Sequence, residues 1–298
     1  MKLLQYEIWH ECPNNCKFCS LGDGREKISN NEKIENIKGI IKDISFIDWE
    51  KFDELAIIGG ELNIKLKDSV LHEIEVLIGL IIDLLKKNFI KKFHFMTSLL
   101  NNGNVLPLII SKFKENNIIN KLSVNTSYDT MWRFNKINRK IWEDNINFVL
   151  SNNVHIHIEI ILTGDFIDKF LYNNKEVLYI LDTYDVDFIR PTFTADKDKE
   201  DMPYNFFPKR SQFIMFLKKL RLEYMGIYNV LFHLNRRASI IYSNNVKDSV
   251  IRDFTTNNED ISKDTLKCGH SETFAIYSDN NRCSICDIEK FKKNDIIL

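Results

Sequence analysis

An α/β fold, with a parallel sheet wrapped by helices, is the class this sequence predicts. Two observations lead there. Strand-like and helix-like segments alternate as far as residue 225, and such alternation lays helices on the faces of a parallel sheet. The chain has 298 residues, 44% of them apolar. That suffices to bury one large core, with room for a small appendage.

The elements follow in order. Leu3-Leu-Gln-Tyr-Glu-Ile-Trp9 is a short run of β-formers and predicts the first strand. Ile34, Ile37, Ile40, Ile41 and Ile44 mark one face of a helix. Glu54-Leu-Ala-Ile-Ile58 is the second strand, followed at once by Gly59-Gly60-Glu61. Ser69 is the expected cap of a helix carrying Ile74, Leu77, Ile78, Ile81 and Leu85. Lys92 to Thr97 is the third strand. Val105 to Asn116 is a helix that tolerates Pro107 in its first turn. Leu122 to Thr126 is the fourth strand and Arg139 to Leu150 the next helix. His155 to Leu162 alternates cleanly as a fifth strand, and Val186 to Arg190 is a sixth, stopped by Pro191. A helix over Ser211 to Tyr224 closes the series. No sequence repeat accompanies the structural one. Beyond Gly226 the pattern breaks down, and Asn244 to Lys263 is polar and loop-like. The expected domains are therefore 1–225 and a C-terminal extension, 226–298.

The most informative motif lies in the loop leaving the first strand. It reads Cys12-Pro-Asn-Asn-Cys16-Lys-Phe18-Cys19. Thiolates this crowded can share one soft metal centre. Three ligands on a cubane cluster leave one iron open for chemistry. A zinc knuckle or three reduced core cysteines is the alternative. The triplet and the strand ending in Gly59-Gly60-Glu61 together resemble the radical SAM superfamily. The resemblance covers residues 1–225 and is specific only within the first 61. It implies a partial (β/α)6 TIM-like barrel, with chemistry at the carboxyl ends of the strands.

The resemblance also implies a [4Fe–4S] cluster on Cys12, Cys16 and Cys19. Its open iron chelates S-adenosylmethionine, with Phe18 against the adenine. Glu61 would accept from the methionine ammonium, alongside the backbone of Gly59 and Gly60. A flavodoxin or ferredoxin is the kind of electron donor such enzymes use. Weaker cofactor-binding candidates sit at later strand ends: Ser98, Asn125, Ser127, Asp129, Glu159 and Arg190. Hydroxyls and carboxylates there suit ribose or amino-acid groups, and Arg190 suits a carboxylate. Strand parity leaves open whether Glu159 points into the barrel. His155 and His157 share a face and are read as packing or surface groups.

A second cysteine group reads Cys268-Gly-His270 and Cys283-Ser-Ile-Cys286, flanking a strand-like Thr273 to Ser278 and a turn at Asp279 to Asn281. Three Cys and one His complete a tetrahedral zinc site. An auxiliary iron–sulfur cluster, as in peptide-modifying members of the superfamily, is the rival, with plain reduced cysteines a third reading. The segment has too few cysteines for that longer pattern and lacks its turn glycine.

Net charge is −1, so no global field favours nucleic acid or an anionic membrane. No basic-then-apolar signal segment precedes Cys12, and Val76 to Leu85 is too short to span a bilayer. A cytoplasmic protein with no membrane partner is expected. The expected activity is reductive cleavage of S-adenosylmethionine and hydrogen abstraction from a substrate. A peptide or protein side chain is the first substrate reading, resting on the cysteine-bearing extension. A nucleotide or nucleic acid is the second, and a non-catalytic metal-binding module the rival class. The basic clusters Arg236-Arg237 and Lys290 to Lys293 are read as solvated surface.

Overall fold

A computed structural model describes residues 2–14, 16, 27–184, 186–189, 205–223, 237–242 and 252–253. The chain order is β1 (Lys2–Glu7), α1 (Asn30–Ile44), β2 (Glu54–Ile58), α2 (Asp68–Lys86), β3 (Lys92–Met96), α3 (Val105–Glu115), β4 (Leu122–Tyr128) and α4 (Lys136–Ser151). There follow β5 (His155–Ile161), α5 (Gly164–Leu171), α6 (Lys175–Thr183), β6 (Val186–Ile189), α7 (Arg210–Glu223), β7 (Arg237–Tyr242) and β8 (Arg252–Asp253). Among the described residues the strands form one sheet in the order β6-β5-β4-β3-β2-β1-β7-β8. Every pairing is parallel except β7 with β8. The six expected strands are all present, so the parallel α/β reading holds.

Three differences stand out. The sheet does not stop at six strands, because β7 and β8 lie beyond residue 226 and β7 pairs with β1. Two short helices, α5 and α6, fill the span between β5 and β6, where none is expected. They are capped by Thr163 and Asn174, whose side chains accept from Phe166 N and from Glu176 N and Val177 N. Helix α2 begins one residue before Ser69, with Lys67 in the cap position and no side-chain cap bond. Its wide buried stripe, from Val70 to Leu85, supplies the stability a cap would add. Each fully buried Leu or Ile contributes roughly 1.5–3 kcal/mol.

The sheet has two unlike faces. Val124, Ile156, Ile158 and Ile160 belong to the apolar core that the helices cover. On the same face Tyr128 Oη donates to Glu176 on α6 (3.1 Å), and burial pushes the Tyr128 pKa up. The opposite, concave face is polar. His94 Nε2 lies 3.0 Å from Glu54 Oε2, and His94 Nδ1 3.4 Å from Asn125 Oδ1, with Ser123 Oγ donating to the same Asn125 oxygen at 3.3 Å. All four of these side chains are buried, and buried polar groups of this kind persist only when paired.

Helices α2, α3, α4 and α5 end alike. Asn88, Asn117, Asn153 and Asn173 each adopt a left-handed conformation, with φ of 56–58°. In each case the next amide bonds back five residues: Phe89 to Leu84, Ile118 to Phe113, Val154 to Val149 and Asn174 to Lys169. This is the Schellman pattern, with asparagine standing where glycine is usual. No helix among the described residues is long and apolar enough to cross a membrane.

Candidate active site

The site begins where β1 and β2 run out together. Ile8 N donates to Ile58 O (3.0 Å), Gly60 N to Trp9 O (2.7 Å) and Glu61 N to Glu11 O (2.9 Å). The segment leading into Cys12 is thereby laced to the Gly-Gly-Glu turn. Glycine is required for that approach. A Cβ on Gly60 would sit 2.0 Å from Glu11 O, and one on Gly59 2.5 Å from Trp9 O, while Gly59 has φ of +148°. Trp9 Nε1 donates to Glu61 O at 3.2 Å and Asn36 Nδ2 to Ile8 O at 3.1 Å, which ties the segment to both neighbours.

Cys12 is half-buried and Cys16 buried. Between them Asn14 Nδ2 donates to Ser98 Oγ (2.9 Å), so the cysteine loop is anchored on the end of β3. Phe18, Cys19, Arg190, Cys268, His270, Cys283 and Cys286 lie outside the described residues. Among the described residues no three His, Cys, Asp or Glu side chains gather around one point.

Glu61 is held by donors from its own chain. Its carboxylate is 1% exposed. One oxygen accepts from Asn63 N (2.7 Å) and Thr97 Oγ1 (2.6 Å). The other accepts from Ser98 N (2.8 Å) and from Ser98 Oγ. Four donors fill the capacity of a carboxylate. Glu61 therefore stitches the end of β2 to the end of β3, and Ser98 passes that connection on to Asn14.

Asp129 is also committed internally. Its Oδ1 accepts from Met131 N (3.1 Å), Trp132 N (2.8 Å) and Arg133 N (3.4 Å), closing the turn after β4. Its Oδ2 accepts from Arg133 Nε at 2.5 Å. Arg133, which the motifs do not point to, holds Ser127 as well, donating to Ser127 Oγ (3.0 Å) and Ser127 O (3.1 Å). Burial alone would lower the Arg133 pKa. The charges of Asp129, Cys16 and Glu61, with the Asp129 hydrogen bond, more than offset that, and the net shift is upward. A permanently charged guanidinium thus sits at the end of β4, within electrostatic reach of Cys16 and Glu61. The one sequence signal for it was an Arg four residues after an Asp at a strand end.

The remaining candidates divide. Asn125 lies lower on the concave face, engaged with His94 and Ser123. Glu159 is half-buried and in register with Ser127 and Asp187. Because Ile156, Ile158 and Ile160 face the helices, Glu159 shares the concave side with Ser127 and His157. His155 is exposed and His157 half-buried.

No family model matches the chain, and no curated protein matches it. Solved structures do. Native anSMEcpe with bound AdoMet matches with a TM-score of 0.51 and 17% identity, over 77% of this chain and 62% of that one. Native anSMEcpe with bound AdoMet and the Kp18Cys peptide matches with a TM-score of 0.52 and 18% identity, over 76% of this chain and 61% of that one. The chain shares its fold with these AdoMet-bound structures. At this identity the likeness is one of fold, and the chain spans less than two thirds of those structures' length. In this fold the cysteine loop, Glu61, Ser98, Ser127, Arg133 and Glu159 all belong to the carboxyl ends of β1 to β5 or to the chain just beyond them.

Proposed function

We propose that this chain is a radical SAM enzyme acting on a peptide or protein side chain. The observation that carries this reading is the lacing of the Cys12 segment to the Gly59-Gly60-Glu61 turn at the carboxyl edge of the sheet. The donor set suits a thiolate-bound cluster: Cys12 and Cys16 follow closely on the end of β1, and the charge of Arg133 acts on Cys16. Cys12, Cys16 and Cys19 would hold a [4Fe–4S] cluster. When bound, that cluster and S-adenosylmethionine supply a 5′-deoxyadenosyl radical that takes a hydrogen atom from a substrate.

The chain's own residues do the rest. Gly59 and Gly60 give backbone an approach that no Cβ blocks, which suits the methionine ammonium. Arg133 offers the charge that suits the methionine carboxylate. Ser127 and Glu159, half-buried on the concave face, suit the ribose hydroxyls. Phe18 would pack on the adenine. Trp132, in the turn after β4, packs on Phe206 with ring centres 5.2 Å apart. A one-electron donor such as flavodoxin or ferredoxin completes the cycle. The peptide class of substrate is supported by the likeness to a structure that holds a peptide. The test is anaerobic reconstitution with iron and sulfide, then dithionite and S-adenosylmethionine. Release of 5′-deoxyadenosine is expected, and its absence from a fully iron-loaded protein would overturn the reading.

The region from residue 226 is proposed to carry, beyond β7 and β8, a zinc site on Cys268, His270, Cys283 and Cys286. Zinc has no redox chemistry to lose, so it should survive aerobic purification at about one ion per chain. A Cys283→Ala/Cys286→Ala variant should lose that zinc and keep its 5′-deoxyadenosine release. A loss of about four iron atoms instead, with zinc absent throughout, would assign an auxiliary cluster.

A further inference from the structure

We propose that Glu11 and the buried Lys33 form a clamp that closes the neck of the cysteine loop and so governs how firmly a cluster is held there. The inference rests on the cluster reading above and names positioning residues for it.

Glu11 immediately precedes Cys12. Its Oε2 accepts from Lys33 Nζ at 2.7 Å and from Ile28 N at 3.2 Å. One carboxylate oxygen therefore holds both the point where the chain enters the loop and the point where it leaves. Lys33 is an unusual tenant of its position. It lies in the first turns of α1 on the face otherwise formed by Ile37, Ile40 and Ile44, and is 4% exposed. Its Nζ also sits 5.7 Å from the centre of the Trp9 ring, an added attraction for a desolvated cation. The start of α1 is fixed in turn by a capping box, with Ser29 Oγ accepting from Glu32 N and Glu32 accepting from Ser29 N.

Burying a lysine against a half-buried glutamate is a poor way to gain stability, since desolvation offsets much of the attraction. Its location supplies the reason for it. The same Glu11 gives its carbonyl to Glu61 N, so the clamp fixes the loop neck to the Gly-Gly-Glu turn. It also cancels a negative charge one residue from a thiolate ligand, where an unpaired carboxylate would repel further negative charge. Groups behind metal ligands act in this way: they leave ligand identity alone and set ligand orientation.

The test uses the full chain, reconstituted anaerobically, with iron release followed in a chelator without S-adenosylmethionine. Lys33→Met and Glu11→Gln should lose iron about 10- to 100-fold faster than the wild type. Lys33→Arg, which keeps the charge, should stay close to the wild type. Circular dichroism and urea midpoints of the iron-free proteins establish that each variant is folded. Should Lys33→Met fail to fold, the isosteric Glu11→Gln carries the comparison. Wild-type iron retention in a folded Lys33→Met or Glu11→Gln variant overturns the clamp. So does a Lys33→Arg variant no better than Lys33→Met. A wild-type protein that takes up no iron is a different result, and overturns the cluster reading itself.

Discussion

Replacing Cys12, Cys16 and Cys19 together with alanine is expected to abolish both cluster binding and 5′-deoxyadenosine release. Reconstituted wild type should show the broad absorbance near ~400 nm of thiolate-bound iron, and the triple variant should not. The fold should survive. The core of this protein is the apolar layer between sheet and helices, and Cys12 and Cys16 lie beyond the end of β1 in a loop held by Asn14 and Glu11. Loss of function without loss of the urea unfolding transition is therefore the signature. Cofactor cleavage that persisted in the triple variant would sink the proposed function outright.

Glu61→Ala should have the second largest effect, and on stability before chemistry. The substitution strands four donors, from Asn63, Thr97 and Ser98, in a site where water does not reach Glu61. Bonds to a charged acceptor are worth about 1.5–3 kcal/mol each, and a buried unsatisfied donor costs about 1–3 kcal/mol. Some donors will find other partners, so a loss of at least about 3 kcal/mol is expected. Urea unfolding of the iron-free protein measures it, with the m-value checked for constancy. Because Ser98 also anchors Asn14, the reconstituted variant should hold its iron less firmly. The opposite pattern, unchanged iron-free stability with weakened S-adenosylmethionine binding, would return Glu61 to the direct ammonium contact that the motif alone suggests.

That pair of outcomes marks where sequence reasoning stops. Cys12, Cys16 and the Gly59-Gly60 turn were legible because they are contiguous and fall at strand ends the β-formers announce. The partners of Glu61 were not, because Thr97 and Ser98 reach it across the sheet from another strand. Arg133 escaped for a related reason. It lies in an irregular turn with no periodicity, and the charges that act on it come from Cys16 and Glu61, far away in the sequence. Helices α5 and α6 are too short for a 3.6-residue pattern to emerge, although Thr163 and Asn174 are readable caps. Glu159 could not be oriented by parity, and its side was decided by the register of β5 against β4.

The asparagine-ended helices change what a glycine means in this chain. Left-handed helix stops are where most proteins use glycine. Here Asn88, Asn117, Asn153 and Asn173 take that duty, and the whole chain holds 10 glycines. Relieved of ordinary punctuation, glycine can report something rarer, a place where two stretches of backbone touch. Gly59 and Gly60 press on Trp9 and Glu11, and Gly103 presses on Asn63, whose backbone a Cβ there would meet at 2.3 Å. All three contacts converge on the strand end that carries Glu61. Among the described residues, the glycines outside helices, Gly59, Gly60 and Gly103, act as survey marks for that crossing, and substitutions at these three would outline it.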